Sequence, residues 1–211
     1  MIKGINFSSV PVRDQVSENS AGMSSGDDTP RPARVTLHRQ ATMADVPAIN
    51  ELIATSVRQL SAGFYTSAQI DAALSGVFGA DTQLVADGTY YVINAEVGLA
   101  AAGGWSGRRT LFGGDQTKKG EDPPLDPRSE PARIRAFFVH PGHTRRGLAR
   151  RLYTECERAA LAAGFRRFEL MATLPGEPLY VALGFTPIDR MVLPLADGEE
   201  IRFVHMWCDI R

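Results

Sequence analysis

The sequence predicts an α/β protein, a sheet with helices packed on it, from three observations. Stretches that alternate apolar and polar residues, as strands do, are interleaved with stretches whose apolar residues recur every three or four positions, as in helices. Their order along the chain is βααββ, a long loop, then βαβαββ, with no internal repeat. The chain is also long enough, at 211 residues and 44% hydrophobic, to bury one core without disulfide help.

The first 33 residues are rich in Ser, Asp, Pro and Gly and show no period. They bury too little to offset their ordering entropy, so residues 1–33 are expected to be a disordered extension to a single domain over 34–211. Arg34–Arg39 alternates as a strand. Thr42 and Asp45 form a capping-box pattern ahead of a helix with Val46, Ile49, Ile53, Val57 and Leu60 on one face. Thr66 and Gln69 open a second helix that turns Ile70, Leu74, Val77 and Phe78 inward. Thr89–Ile93 and Val97–Trp105 read as antiparallel strands. Residues 106–131 then hold four Gly and four Pro in 26 positions, a loop too long to be an ordinary connection. Its first half, with Leu111, Phe112 and a Gly-Gly hinge, is expected to order against the sheet, and its second half to be mobile. Ala132–Val139 is a strand, Arg145–Ala163 a helix stopped by Gly164, and Phe168–Thr173 a strand. Glu177–Leu183 is a short helix, and Arg190–Leu195 with Ile201–Trp207 a hairpin turning at Asp197-Gly198.

Composition excludes several classes. A net charge of −1 argues against a nucleic-acid coat protein. No apolar run approaches the ~18 residues of a membrane span. Cys156 and Cys208 are too few for a disulfide framework and read as reduced, which with the polar start predicts a soluble cytoplasmic protein. His140 and His143 lack a nearby third ligand, so no metal site is expected. The phosphate loop of nucleotidases, the dinucleotide fingerprint and the nucleophile elbow are missing too.

The chemistry-bearing segment is Val139-His-Pro-Gly-His-Thr-Arg-Arg-Gly-Leu-Ala-Arg-Arg-Leu152. A buried strand ends, Pro141 breaks it, and a helix begins. A helix start offers free N–H groups and the positive end of the macrodipole, an anion site. Arg145, Arg146, Arg150 and Arg151 crowd that start, where cations oppose the dipole unless an anion joins them. One reading is a pyrophosphate site, opened by the missing side chain of Gly147 and the small one of Ala149. The bland alternative is a solvated basic face paired with Glu155 and Glu157.

This stretch, with Leu179-Tyr-Val-Ala-Leu-Gly-Phe185 and the opening Gln40-Ala-Thr-x-x-Asp45, resembles the GNAT superfamily of acyl-CoA-dependent N-acetyltransferases. The motifs of the resemblance span Ile134 to Phe185, and over Val35 to Trp105 and the terminal hairpin it is a matching element order; the extension and the long loop fall outside it. It implies a single mixed, mostly antiparallel twisted sheet flanked by helices, with acetyl-CoA as co-substrate and no metal. The family motif [QR]-x-x-G-x-[GA] falls on Thr144, Arg145, Arg146, Gly147, Leu148 and Ala149, with Thr144 departing from Gln or Arg. By similarity, the N–H groups of Arg145 to Arg150 hold the pyrophosphate, and the backbone of Phe138 and Val139 pairs with the pantetheine arm. Tyr180 matches the tyrosine that protonates the departing thiolate; otherwise it is a core aromatic.

The implied reaction is direct acetyl transfer to a primary amine of a small molecule or peptide. Relatives acetylating histones or serotonin carry Glu or His on the strand, where this chain has Arg133 and Arg135, which cannot act as bases. Asp115, Asp122 and Glu177 are the remaining candidates, though each reads first as an ordinary solvated acid. Arg133, Arg135 and Phe137 share a face of an ideal strand, so the two guanidinium groups either recognise an anionic acceptor or pair with loop acids such as Glu121, Asp122 or Asp126. The alternative function is a non-catalytic acyl-CoA-binding sensor or scaffold. The expected partners are acetyl-CoA and an amine, with no nucleic acid and no membrane. A homodimer is compatible with such a fold, although no residue specifies one.

Overall fold

In a computed structural model that describes residues 35–211, the chain runs β1 (Arg39–Gln40), α1 (Val46–Leu60), α2 (Ser67–Gly76), α3 (Thr82–Ala86), β2 (Tyr90–Asn94), β3 (Leu99–Ser106) and β4 (Ala132–Val139). It continues with α4 (Leu148–Ala162), β5 (Arg167–Thr173), α5 (Glu177–Ala182), β6 (Thr186–Pro194) and β7 (Glu200–Asp209). The expectations for residues 1–33 lie outside the described residues. The strands form one sheet in the order β1-β2-β3-β4-β5-β7-β6. Every neighbouring pair is antiparallel except β4 and β5, which are parallel and joined by α4 as crossover. This is the mixed, mostly antiparallel sheet flanked by helices that the sequence predicts.

Local chemistry explains the helices. In α2, Thr66 accepts from the Gln69 N–H at 3.1 Å while Gln69 Oε1 accepts from the Thr66 N–H at 3.0 Å, a reciprocal cap. Ile49, Leu52, Ile53 and Val57 bury one stripe of α1; Leu148, Leu152, Tyr153, Cys156 and Ala160 bury one stripe of α4. The stripes cover opposite faces of the sheet. One core gathers α4, α5 and the inner residues of β4, β5 and β7, with Leu152, Cys156, Phe168 and Met206 fully enclosed. The other gathers α1, α2 and α3 over Tyr90, Val92, Ile201 and Phe203. Cys156 and Cys208 are free and buried, and burial raises both thiols above the usual range. No described helix is long and apolar enough to cross a membrane.

Several boundaries differ from the sequence expectation. β1 is two residues long; residues before it still run beside β2, with the Thr36 N–H bonded to Asn94 O at 3.1 Å. α3 is an additional helix, capped by Asp81, whose carboxylate accepts from the Gln83 N–H at 3.1 Å. α4 starts at Leu148 rather than Arg145, because Arg145 and Gly147 both sit at positive φ (59° and 73°) and cannot continue a right-handed helix. β6 begins at Thr186, ahead of the expected Arg190, with an irregularity between Pro187 and Asp189. The long loop is packed in both halves. Arg108 and Pro124 form a bridge, the Leu125 N–H bonds to Gly107 O at 2.8 Å, and Leu125 is buried in the core, so the second half is tied down as well.

The start of the domain is held by one ion pair. Arg39 on β1 grips Asp45 at 2.7 and 2.8 Å, and Asp45 also accepts from the Thr42 N–H and hydroxyl. The Arg39 hydrogen bonds hold the Asp45 carboxyl far below the usual carboxylate range, with Thr42 adding to them. A carboxyl lowered by folding contributes stability above its unfolded pKa of about 4, and loses it as pH falls through the folded value. The urea midpoint of Asp45→Asn should therefore lie below wild type at neutral pH, and the gap should narrow as pH is taken below about 4. A gap that is constant with pH would show that the carboxylate's charge is not what holds β1.

Candidate active site

The site begins where the sheet comes apart. β4 and β5 pair only at Ala132–Phe168 and Arg133–Glu169, and beyond those rungs they diverge. A second irregularity lies on the other side of β4. Ala102 faces Phe138 but Gly104 faces Arg135, so β4 carries one residue more than β3 there, a β-bulge with Ala136 at φ 52°. Tyr90 supports it by donating its hydroxyl to Ala136 O at 3.0 Å. Past the bulge the antiparallel alternation resumes. The His140 N–H bonds to Ala100 O at 2.9 Å, which makes Phe138 the next residue turned to β3 and leaves the N–H and C=O of Phe137 and Val139 facing the gap. Of the two residues expected to offer their backbone to an extended ligand, Val139 is so placed. Phe138 is corrected to Phe137, because Phe138 spends its backbone on Ala102.

The bulge also reverses side-chain parity. Phe137 packs into the α4 side of the sheet with Val139, 6.5 Å from the Tyr180 ring, and does not share a face with Arg133 and Arg135. Gly103 makes the room: a Cβ there would lie 2.2 Å from Phe137 Cδ1.

The gap opens into a cleft of about 640 Å³, lined by Phe137, Val139, Tyr180 and the residues that lead into α4. Thr144, Arg145, Gly147, Leu148, Ala149 and Arg150 all border it. Gly147, in the left-handed conformation, is the residue before α4 and has no side-chain cap, so the first-turn N–H groups carry no cap from the chain. Arg145 makes no hydrogen bond or ion pair among the described residues. Arg150 donates to Ala182 O at 3.2 Å, Arg151 to Thr36 O at 3.1 Å, and Arg146 to His143 Nδ1 at 2.9 Å. Glu155 is taken by His38 and Arg158, and Glu157 accepts from Tyr153, so neither neutralises these arginines. Arg145 and Arg150 border the cleft together with the uncapped N–H groups, an arrangement that can hold a phosphate, while Arg146 and Arg151 lie outside its lining.

Tyr180 is buried against Phe137 and Phe185, borders the cleft, and its hydroxyl has no hydrogen-bond partner among the described residues. Burial raises its pKa well above the ordinary tyrosine value, so it stays protonated. His143 also borders the cleft; the sequence offered it only as a loop histidine. Burial and the neighbouring Arg146 lower its pKa, and because a guanidinium can only donate, Nδ1 accepts and the ring is neutral. Among the described residues no group of three His, Cys, Asp or Glu could hold a metal.

Of the two strand arginines, Arg135 borders the cleft and Arg133 does not. Arg133 is ion-paired with Glu169. Arg135, 3% exposed, donates to Asp81 at 2.8 Å, Thr110 O at 2.7 Å and Gly113 O at 2.6 Å. Asp81 is shared with Lys118. Arg135 thus pins the long loop, as the other reading held, but through carbonyls and an acid on α3's cap rather than through Glu121, Asp122 or Asp126. The base candidates are occupied elsewhere: Asp115 accepts from the Thr82 N–H, Asp122 from the Thr110 N–H, and Glu177 from Arg190. None of the three borders the cleft.

A parted sheet with a bulged strand beside an uncapped helix start defines an α/β fold built around an open cleft. The family model of the GNAT acetyltransferases matches residues 60–185, and the chain belongs to that family. No curated protein matches the sequence. Solved structures share the fold. A GCN5-related N-acetyltransferase from Rhodopseudomonas palustris aligns with a TM-score of 0.59 and 18% identity, over 82% of this chain and 94% of that one. The PaiA N-acetyltransferase of Thermoplasma acidophilum, solved with coenzyme A, gives 0.54 and 12% over 83% and 99%. YncA of Salmonella typhimurium, solved with acetyl-CoA, gives 0.53 and 19% over 84% and 94%.

Removing one partner of a buried pair leaves the other charge stranded, at a cost of about 3–5 kcal/mol. Arg135→Met should lower the unfolding free energy by about that amount in urea titrations, and adding Asp81→Leu should recover part of it. Equal stability of Arg135→Met and wild type would contradict the pinning role.

Proposed function

We propose that this protein is a cytoplasmic N-acetyltransferase that moves an acetyl group from acetyl-CoA directly to a primary amine. The observation that carries this reading is the convergence on one cleft of the uncapped start of α4, the open edge of β4 at Val139 and the unpartnered hydroxyl of Tyr180. The N–H groups from Arg145 to Arg150, with the side chains of Arg145 and Arg146, bind the pyrophosphate. Thr144 completes the loop as a neutral residue. Phe137 and Val139 hydrogen-bond the pantetheine arm as an added strand.

The thioester supplies the activated acetyl group. The amine must be neutral to attack its carbonyl, and as the C–N bond forms, the N–H of Val139 stabilises the negative oxygen. The C–S bond then breaks, Tyr180 gives its proton to the sulfur, and the proton lost from nitrogen returns to the phenolate through solvent. That no described Asp or Glu borders the cleft favours a second reading, an acyl-CoA-binding sensor without turnover. Thiol release with an amine panel separates the two, since a sensor gains melting temperature with CoA but releases none.

Titration calorimetry tests the cofactor half: Gly147→Asp puts a negative charge at the anion site and should weaken CoA binding about tenfold or more. Tyr180→Phe tests the other half, with kcat falling about 10²-fold or more while CoA affinity stays within about threefold of wild type. Unchanged CoA affinity in Gly147→Asp would refute the phosphate assignment, and unchanged kcat in Tyr180→Phe the acid assignment.

A further inference from the structure

The cleft has two ends of different character. The end beside α4 is bordered by Arg145, Arg150 and backbone N–H groups; the end on the α1 and α2 side is aromatic and aliphatic. Phe78 stands edge-on to both Phe138 and Phe203, with centroids 6.1 Å apart in each case, and Phe112 lies 5.8 Å from Phe203 at 33°. Leu111 and Met171 complete the wall. This aromatic group is left partly open: Phe78, Phe112 and Phe138 are only half-buried, while Phe203 behind them is 2% exposed. Among the described residues no Asp or Glu borders the cleft at either end. Arg135, which borders the cleft, is neutralised by Asp81 and also donates to Thr110 O and Gly113 O.

The wall is built rather than incidental. The same Arg135 bonds hold the segment that carries Leu111 and Phe112, and the Gly114 N–H bonds to Val77 O at 2.9 Å.

Among the described residues such a chamber has no counter-charge for a second ammonium, as a polyamine or lysine would bring, and it offers a carboxylate only the neutral hydroxyls of Ser61 and Thr173 and the already paired Arg135. It favours an apolar body. It also answers how an amine loses its proton without a base: transfer out of water disfavours the ammonium form, so the amine enters and waits neutral. Resting on the transferase reading above, we infer that the acceptor is a hydrophobic amine, a primary amine on an aryl or branched-alkyl body with no other charge, seated against Phe78, Phe112, Phe138 and Phe203.

The test measures CoA release by the purified protein with acetyl-CoA and four amines: 2-phenylethylamine, isoamylamine, spermidine and lysine. The expected result is kcat/KM at least about tenfold higher for the two hydrophobic amines than for spermidine and lysine, the discrimination an apolar pocket of this kind supports. Phe112→Ala should raise KM for 2-phenylethylamine about tenfold with CoA affinity unchanged. Phe112→Glu, which supplies the missing carboxylate, should shift the preference towards spermidine. Equal or better turnover of spermidine or lysine overturns the inference, as does CoA binding with no transfer to either hydrophobic amine. Absence of CoA binding in calorimetry is a separate failure, that of the transferase reading beneath it.

Discussion

Two hydrogen-bonded rungs, Ala132–Phe168 and Arg133–Glu169, hold the halves of this sheet side by side, and the rest of the molecule depends on their being so few. Parallel strands joined by a helix normally stay paired along their length. Here the Arg133–Glu169 ion pair closes the joined end, and the bulge at Ala136 reorients β4 just beyond it. The strand polar groups left without a ladder at Phe137 and Val139 are costly if nothing replaces the missing bonds. The open edge is therefore a request for a strand-like ligand as much as a gap in the fold.

The two hydrophobic cores make the gap affordable to the structure. Each face of the sheet is covered independently, by α4 and α5 on one side and by α1, α2 and α3 on the other, so where the strands part, core residues such as Tyr180 and Phe203 line the cleft yet stay largely buried. Strain concentrates where the cleft is lined. Arg145 and Ala136, the non-glycine residues at positive φ among the described residues, flank it, and the Tyr180 hydroxyl borders it without a partner among them. These are locations where local preference gives way, as it does at functional sites.

Much of this was legible beforehand. The capping residues Thr66 and Gln69, the periodic stripe of α1 and the Pro141 break before α4 each follow from a local rule, and all three appear in the structure. The concentration of arginines around Gly147 drew attention to the start of α4 because it violates the dipole rule, and that start borders the cleft. The bulge was not legible, because nothing in Ala132–Val139 sets Ala136 apart; an unbroken strand was the natural assumption, and it placed Phe137 on the wrong face. A signal does exist one strand away, in Gly103, which leaves space under the Phe137 ring. Likewise, two arginines on one strand face suggested an anionic acceptor. Only the tertiary structure brings Asp81, 54 residues away in sequence, against Arg135. Leu111 and Phe112 were singled out as ordering beside the sheet, and they border the cleft.

The central claim is that the parted edge of β4 and the start of α4 receive one ligand together. Amide NMR of the labelled protein, titrated with CoA, tests it residue by residue. The account predicts that the backbone N–H signals of Val139, Leu148, Ala149 and Arg150 shift together and saturate at one concentration, with the amides of β6 unmoved. Shifts confined to exposed arginine side chains, with Val139 and Leu148 unchanged, would contradict it.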